Sequence, residues 1–358
     1  MNHPLIIRAI DVGYGNTKFV VSSNDQGFHC DLFPSLASPA SGGDLTAGVL
    51  QKRNTVKVDV RGIFFEVGKD AEMAVDSSFS RTIDENYPLS DAHLALVRGA
   101  MAYMGVTHID QLVVGLPLLT YAKCRVALME RLKGEHIIPV IKHESSPGAE
   151  TRTVIVRNVV VFPQPMGGLL DHAHQTERSQ EIKRETTLVV DPGFYTLDWL
   201  VCKGLKPLEA RSGAKAGGIS SILQAIASSI SEDPKMEGRR VTDLARIDEA
   251  IRENRQPKFY GTAVDMTEHM KVGFEKARQL VGSLANKVGN GQDIDNIVLV
   301  GGGAALFEGV LKEKYPHHKI EVAQRPVFSN VRGFQLGGLQ MIAKSSAGED
   351  HRPKAHQA

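Results

Sequence analysis

Among 358 residues there are only three cysteines and a net excess of a single positive charge, and each scarcity closes off a class of function. Cys30, Cys124 and Cys202 are odd in number, far apart and free of C-x-x-C spacing, which argues against a disulfide framework and a thiolate metal site and fits a reducing cytoplasm. A formal charge of +1 offers no general basic surface, so no direct nucleic-acid ligand is expected. No apolar run approaches the roughly 18 residues of a membrane span, and the N-terminus has no basic region with a cleavage site. The expectation is a soluble, cytoplasmic chain without a membrane partner. The histidines lack metal-ligand spacing, H-E-x-x-H is missing, and no Ser-His-Asp or Cys-His arrangement can be read. The P-loop is missing too: "EVGKDA" has Gly68-Lys69 but Asp70 where Ser or Thr is required, and no glycine at the upstream spacing.

What is present is ordinary globular composition, 42% apolar and 23% charged, over a length that suggests two domains. The most informative feature is a repeat. After the apolar run Leu5–Ile10 comes "DVGYGNTKFVV", Asp11 to Val21, and at the start of the second half "TTLVVDPGFYTLDWLV" sets Asp191-Pro192-Gly193-Phe194-Tyr195-Thr196-Leu197-Asp198 behind another apolar strand. One Asp-x-Gly turn is a common hairpin signal and weak evidence. Two copies, similarly placed, are harder to assign to turn chemistry alone.

Between and after the repeats, strands alternate with helices. "VDVRGIFFEVG", Val58 to Gly68, reads as a hairpin; Ala92 to Met104 has helical spacing; Gln111 to Pro117 is a short buried strand; a helix covers about Tyr121 to Lys133. Ser35 to Lys57 reads as a long loop, and a strand-rich run is expected to end in "NVVVFPQPMGGLL", Asn158 to Leu170. The polar run from His172 to Arg184 fits a helix or a surface link. In the second half, Gly217-Gly218 lead into a helix, the charged segment Ser231 to Lys258 reads as a peripheral subdomain, and a long helix is expected over Thr267 to Val288. "NIVLVGGGAALFEGVL", Asn296 to Leu311, reads as strand, glycine turn, helix, and a final helix follows Asn330. The pattern is an α/β architecture with an internal duplication. The expected domains are 1–164 completed by a helix at 330–344, then 165–329, with a disordered tail at 345–358.

A carboxylate at a strand end beside exposed backbone N–H groups is the pairing that a metal-bound polyphosphate requires, and glycine lets the backbone approach phosphate closely. Two such turns, one per domain, could grip one nucleotide from opposite sides. Gly301-Gly302-Gly303 can be a strand-to-helix turn that receives an anion or a flat ring. A Rossmann reading of this cluster fails because Leu306 occupies the last position of the pattern and no second βαβ half follows.

In order and spacing, the Asp11 turn, the Asp191 turn and the Gly301 cluster resemble the phosphate-1, phosphate-2 and adenosine motifs of the actin, sugar kinase and heat-shock chaperone ATPase superfamily. "VVGLPL", Val113 to Leu118, and "FSNVRGFQLGG", Phe328 to Gly338, resemble its connecting motifs. "GLPLLTY", "FPS" at Phe33 to Ser35, "FEVGKDA" and "NVRGF" look like the plasmid-segregation actins of the ParM/StbA type, down to the protein D family of PRTRC plasmid systems. The resemblance implies a duplicated, ribonuclease H-like two-domain ATPase fold with a nucleotide cleft between the domains. It implies ATP or GTP with Mg²⁺, with Asp11 and Asp191 holding the metal mainly through its waters.

The resemblance also distributes roles. Gly13, Tyr14, Gly15, Asn16 and Lys18, with Gly193, Phe194, Tyr195 and Thr196, would surround the phosphates; for Lys18 the turn before it favours a phosphate charge over the alternative of a solvated strand residue. Gly217, Gly218, Gly301, Gly302, Gly303 and Ala305 would border the adenosine, against the alternative of helix capping and close packing. Gln164 falls where the family places a Glu or Gln that orients the attacking water, although it could simply end a strand between two prolines; with Asp11 and Asp191 it completes the catalytic set. Pro192, which lacks an N–H, and the bulky Tyr195 depart from the usual second turn. The implied activity is a Mg-ATPase that polymerises head to tail and partitions plasmid DNA through a DNA-binding adaptor. The alternatives are a nonpolymerising nucleotide-binding scaffold and, third, a small-molecule kinase, which needs a catalytic Asp that the sequence does not clearly supply.

Overall fold

The structure, a computed structural model, describes residues 5–24, 27–40, 53–75, 84–141 and 150–349. It divides into two compact units: Met1–Leu116 with Thr120–His174 and Phe328–Ala358, and Pro117–Leu119 with Gln175–Val327.

In unit 1 the opening hairpin is β1 (Ile7–Val12) and β2 (Asn16–Asn24), continued by β3 (Gly27–Pro34). A small sheet follows, β4 (Ser38–Pro39), β5 (Thr55–Val60) and β6 (Ile63–Gly68), in which the expected hairpin turns at Arg61-Gly62. Most of the expected Ser35–Lys57 loop, residues 41–52, lies outside the described residues. Helix α1 (Asp91–Met104) starts where Ser90 accepts the His93 N–H and stops at Gly105 with φ 69°, a left-handed end that glycine adopts without a Cβ penalty. Then come β7 (His108–Leu116), α2 (Leu118–Leu132), β8 (Gly134–Pro139), β9 (Thr151–Pro163) and α3 (Gln164–Gln175).

The main sheet runs β3-β2-β1-β7-β9-β8, with β1, β7 and β9 parallel. The central strands β1 and β7 are buried along nearly their whole length, as strands covered on both faces are, whereas β9 alternates buried and exposed residues over its first half. Ala9, Ile10, Phe19, Leu96, Met101, Leu112 and Val113 are wholly buried.

Unit 2 repeats this plan. Helix α4 (Ser179–Ile182) precedes β10 (Thr186–Pro192), β11 (Thr196–Lys203), β12 (Lys206–Pro207) and β13 (Gly213–Ala216). After α5 (Ile219–Glu232) comes the peripheral segment, with α6 (Leu244–Arg252) and a two-residue hairpin of β14 (Lys258–Phe259) and β15 (Thr262–Ala263). Helix α7 spans Thr267–Val288 as its apolar spacing predicts, followed by β16 (Asn296–Leu299), α8 (Ala304–Lys314) and β17 (Ile320–Val322). The sheet order is β12-β11-β10-β16-β17. Set beside β3-β2-β1-β7-β9, it is the same template, an antiparallel meander followed by parallel strands. Even the register agrees: the parallel partner follows β1 to Ile10 and β10 to Val190, in each case to the residue before the aspartate.

Two stretches differ from expectation. Gln164 to Leu170 is helix, not strand: β9 stops at Pro163, and Pro165 sits in the first turn of α3, where a missing N–H leaves no bond unmade. Gly167 serves packing, since a Cβ on it would lie 2.4 Å from the Asn330 carbonyl oxygen of the last helix, α9 (Ser329–Glu349). That helix continues five residues past the expected start of a tail, because Ser345 to Glu349 contain no proline to stop it; residues 350–358 lie outside the described residues. Among the described residues no helix is long and apolar enough to cross a membrane, and all three cysteines are free thiols.

Candidate functional site

The first turn is built by the β1–β2 hairpin. Asp11 pairs across the strands with Lys18, Gly13 N–H bonds to the Asn16 carbonyl at 3.1 Å, and Gly15 carbonyl accepts Ser35 N–H at 2.9 Å. Asp11 is fully buried, and both of its oxygens are engaged: Lys18 Nζ donates to Oδ2 at 3.0 Å and Gln164 Nε2 to Oδ1 at 2.7 Å. Because a carboxylate can only accept, the Gln164 amide must present its N–H to Asp11, which leaves its carbonyl Oε1 as the acceptor. Helix α3 delivers Gln164 at its first residue, and Gly115 on β7 makes room for it: a Cβ there would lie 3.1 Å from Gln164 Cγ and 2.2 Å from Phe334. Thus Asp11, the half-buried Lys18 beside it on the hairpin and, from far along the chain, Gln164 form one cluster under the turn Gly13–Asn16. Tyr14 is the exception among the predicted residues, since its side chain turns into the protein and only its backbone belongs to the turn rim.

The second turn, β10–β11, gathers the remaining predicted residues. Asp191 is buried. Gly301, at φ +79°, is pressed against it, so that an added Cβ would stand 2.1 Å from Asp191 Oδ1. Gly303 N–H bonds to the Pro192 carbonyl at 3.1 Å. Gly217 and Gly218 N–H groups both bond to the Tyr195 carbonyl, at 2.7 and 2.8 Å, while Ile219 and Ser220 N–H groups reach the Gly193 and Phe194 carbonyls. A Cβ on Gly218 would lie 2.2 Å from the Gly193 oxygen. The Gly217-Gly218 pair therefore braces the turn and directs the first donors of α5 into it, the close-packing role. Gly302 and Ala305 are exposed at the rim of the same cluster, whereas Phe194 leans on the unit 2 core.

One further residue of this hairpin belongs to the site without any motif to mark it. Asp198 stands directly across from Asp191, the place that Lys18 takes opposite Asp11. It is buried, accepts a 2.5 Å bond from Thr196 Oγ1 and a 2.7 Å bond from the Leu118 N–H. Burial pushes its carboxyl up to about 7, with the Asp191 charge adding to the rise and the Thr196 and Leu118 donors opposing it. The signal was available: both residues lie seven positions after their aspartate, so superposing the two repeats would have singled out Asp198.

Among the described residues no group of three or more His, Cys, Asp or Glu side chains assembles as a direct metal centre. The donor chemistry suits a hydrated cation instead, because Asp11 already has a partner on each oxygen and Asp191 is confined by Gly301. The backbone fits phosphate as well, with glycine turns at the end of a buried strand in both units.

Two family models match the chain: actin like proteins N terminal domain over residues 9–167, and archaeal actin homologue MreB-like, C-terminal, over residues 189–313. The first span holds Asp11 and Gln164, the second Asp191 and the Gly301 cluster. No curated protein matches the sequence. Among solved structures, the archaeal actin homolog Ta0583 superposes with TM-score 0.74 at 19% identity, covering 94% of this chain and 100% of that one. Its complex with ADP superposes with TM-score 0.71 at 20% identity, over 94% and 100% of the two chains. The protein of a 15-stranded ParM filament from Clostridium botulinum gives TM-score 0.75 at 22% identity, again over 94% and 100%. The duplicated sheets are therefore an actin-like fold.

Proposed function

The chain belongs to the actin-like proteins, and from that premise we propose that it is a Mg-dependent ATPase whose nucleotide state governs assembly into head-to-tail filaments. The observation that carries the reading is the cluster of Asp11, Lys18 and Gln164 beneath a glycine turn, with an equivalent turn in the other unit enclosed by two further glycine segments, Gly217-Gly218 and Gly301–Gly303. Structural neighbours described as a ParM filament and as an ADP complex support self-assembly and nucleotide binding respectively.

In this reading the turns Gly13–Asn16 and Gly193–Thr196 offer backbone donors to phosphate, Lys18 supplies a positive point charge, and Gly302 and Ala305 border the adenosine. Asp11 and Asp191 would hold magnesium through its waters; when bound, that ion neutralises charge on the phosphate oxygens. Gln164, oriented by Asp11, accepts a hydrogen bond from the attacking water through Oε1. Phosphoryl transfer depends more on positioning and charge stabilisation than on a strong base, so a glutamine suffices for slow hydrolysis. Repeated association of one surface with a different one on the next copy gives an open filament. The cellular role we propose is cytoplasmic segregation of plasmid DNA through a DNA-binding adaptor, without direct DNA contact.

Sedimentation and electron microscopy with Mg-ATP, Mg-GTP and a nonhydrolysable analogue test the proposal. Filaments that form with triphosphate and disassemble after hydrolysis are expected. A chain that binds nucleotide yet stays monomeric at high concentration would instead be an actin-fold scaffold.

A further inference from the structure

Tyr14 lies between Gly13 and Gly15 at the tip of the first turn, where solvent is accessible, yet only 7% of it is exposed. Its ring stacks on Tyr87 with centroids 5.0 Å apart and planes inclined by 28°. Its hydroxyl donates to the Asp84 carbonyl at 3.0 Å, and the same oxygen accepts the Tyr87 N–H at 3.1 Å. A single carbonyl thus joins the turn to the short helical turn Tyr87–Leu89.

The contact continues inward. Tyr87 meets His93 edge-on, with centroids 5.5 Å apart at 83°. Burial drives the His93 imidazole down to about 3, with Arg131 adding to the fall, so the ring is neutral and packs as an aromatic. Ser90 locks the same corner: its Oγ donates to the Tyr87 carbonyl at 2.8 Å and accepts the His93 N–H at 3.1 Å, capping α1. A ladder of three rings therefore runs from the tip of the turn to the first turn of α1. In the second hairpin the matching residue, Phe194, packs on its own core instead.

We propose that Tyr14 is a positioning residue that anchors the first phosphate turn to Asp84–His93, and that phosphate binding at the turn tightens this segment through the Tyr14–Tyr87–His93 stack. The inference rests on the nucleotide reading of that turn. Backbone donors hold phosphate well only if the turn is fixed beforehand, and Tyr14 fixes it through its side chain while its backbone stays with the turn. Linkage makes the effect reciprocal: whatever factor the ordered segment adds to nucleotide affinity, nucleotide adds to the order of the segment.

Two measurements test this on the full chain: affinity for a fluorescent ATP analogue with magnesium, and amide hydrogen exchange of residues 84–93 with and without Mg-ADP. In the native protein, nucleotide should slow exchange at Tyr87 to His93. Tyr87→Leu should weaken binding about three- to tenfold, the scale of one aromatic pair, and abolish that nucleotide-dependent protection. Tyr14→Phe keeps the ring and loses only the Asp84 bond, so it should weaken binding and protection less than Tyr87→Leu does. Nucleotide binding with unchanged exchange at 84–93, or native affinity in Tyr87→Leu, overturns the inference and leaves the nucleotide reading standing. Absence of nucleotide binding by the native chain removes that reading and this inference with it.

Discussion

The two hairpins share backbone and differ in charge. Each places an aspartate at the end of a buried strand and pairs it with the residue seven positions on, but that partner is Lys18 in unit 1 and Asp198 in unit 2. The first pair is an ion pair whose cation reaches the turn from beneath. The second sets two acidic groups opposite each other, made tolerable by the Thr196 and Leu118 donors and by burial, which pushes the Asp198 carboxyl up to about 7. Duplication preserved the geometry while chemistry diverged. One hairpin carries its own positive charge, and the other depends on neutral donors and on protons.

Removing the cation from the first hairpin should have the largest effect. Lys18→Ala leaves Asp11 buried without its counter-charge, and about 3 kcal/mol of stability should be lost in urea titrations of the unliganded chain. A loss below 1 kcal/mol would mean that Gln164 alone balances Asp11, and the contrast in charge would be of little consequence. Next comes crowding. Gly301→Ala needs a left-handed backbone and meets Asp191 Oδ1, which should cost roughly 2–4 kcal/mol. Gly13→Ala meets only the flexible end of Lys18 at 3.1 Å and the Asn16 carbonyl at 3.2 Å, and about 1 kcal/mol is expected. Equal melting temperatures for these two variants would show that the second turn is no tighter than the first.

Gln164→Ala should retain nucleotide and lose about a hundredfold in hydrolysis, as removal of a single positioned polar group does elsewhere. Unchanged turnover in a phosphate-release assay would move water positioning away from α3. The smallest effect concerns protons. Asp198 has a carboxyl raised above its unfolded value, so the folded state binds the extra proton and stability falls as pH rises through about 7. Between about pH 6 and pH 8 the decline should be about 1 kcal/mol, and Asp198→Asn should flatten it. A variant with the native pH profile would assign the titration to another group.

Much of this fold was legible because it is written locally. The paired Asp-x-Gly turns, the apolar stripe of Thr267–Val288 and the hairpin at Val58–Gly68 follow from periodicity and turn chemistry. The helix at Gln164 is not legible because its start lies between two prolines and its glycines have the composition of a loop; the backbone of α9 against Gly167 accounts for the first of them. Among the site residues, the chain pattern marks Asp11 and Asp191 but not what surrounds them. The inward turn of Tyr14 depends on Tyr87, and the environment of Asp198 on Leu118, both contacts across long sequence separations that no short window contains.

The C-terminal helix has a consequence for biosynthesis. A Cβ on Gly333 of α9 would fall 1.8 Å from the Gly167 oxygen of α3, so the two backbones touch, and α9 also lies on β1 and β7. All of unit 2 precedes Phe328 in the chain, whereas unit 1 lacks a structural face until α9 has been synthesised. Unit 2 therefore has all its segments in hand while the opening strands of unit 1 still wait for the cover of α9.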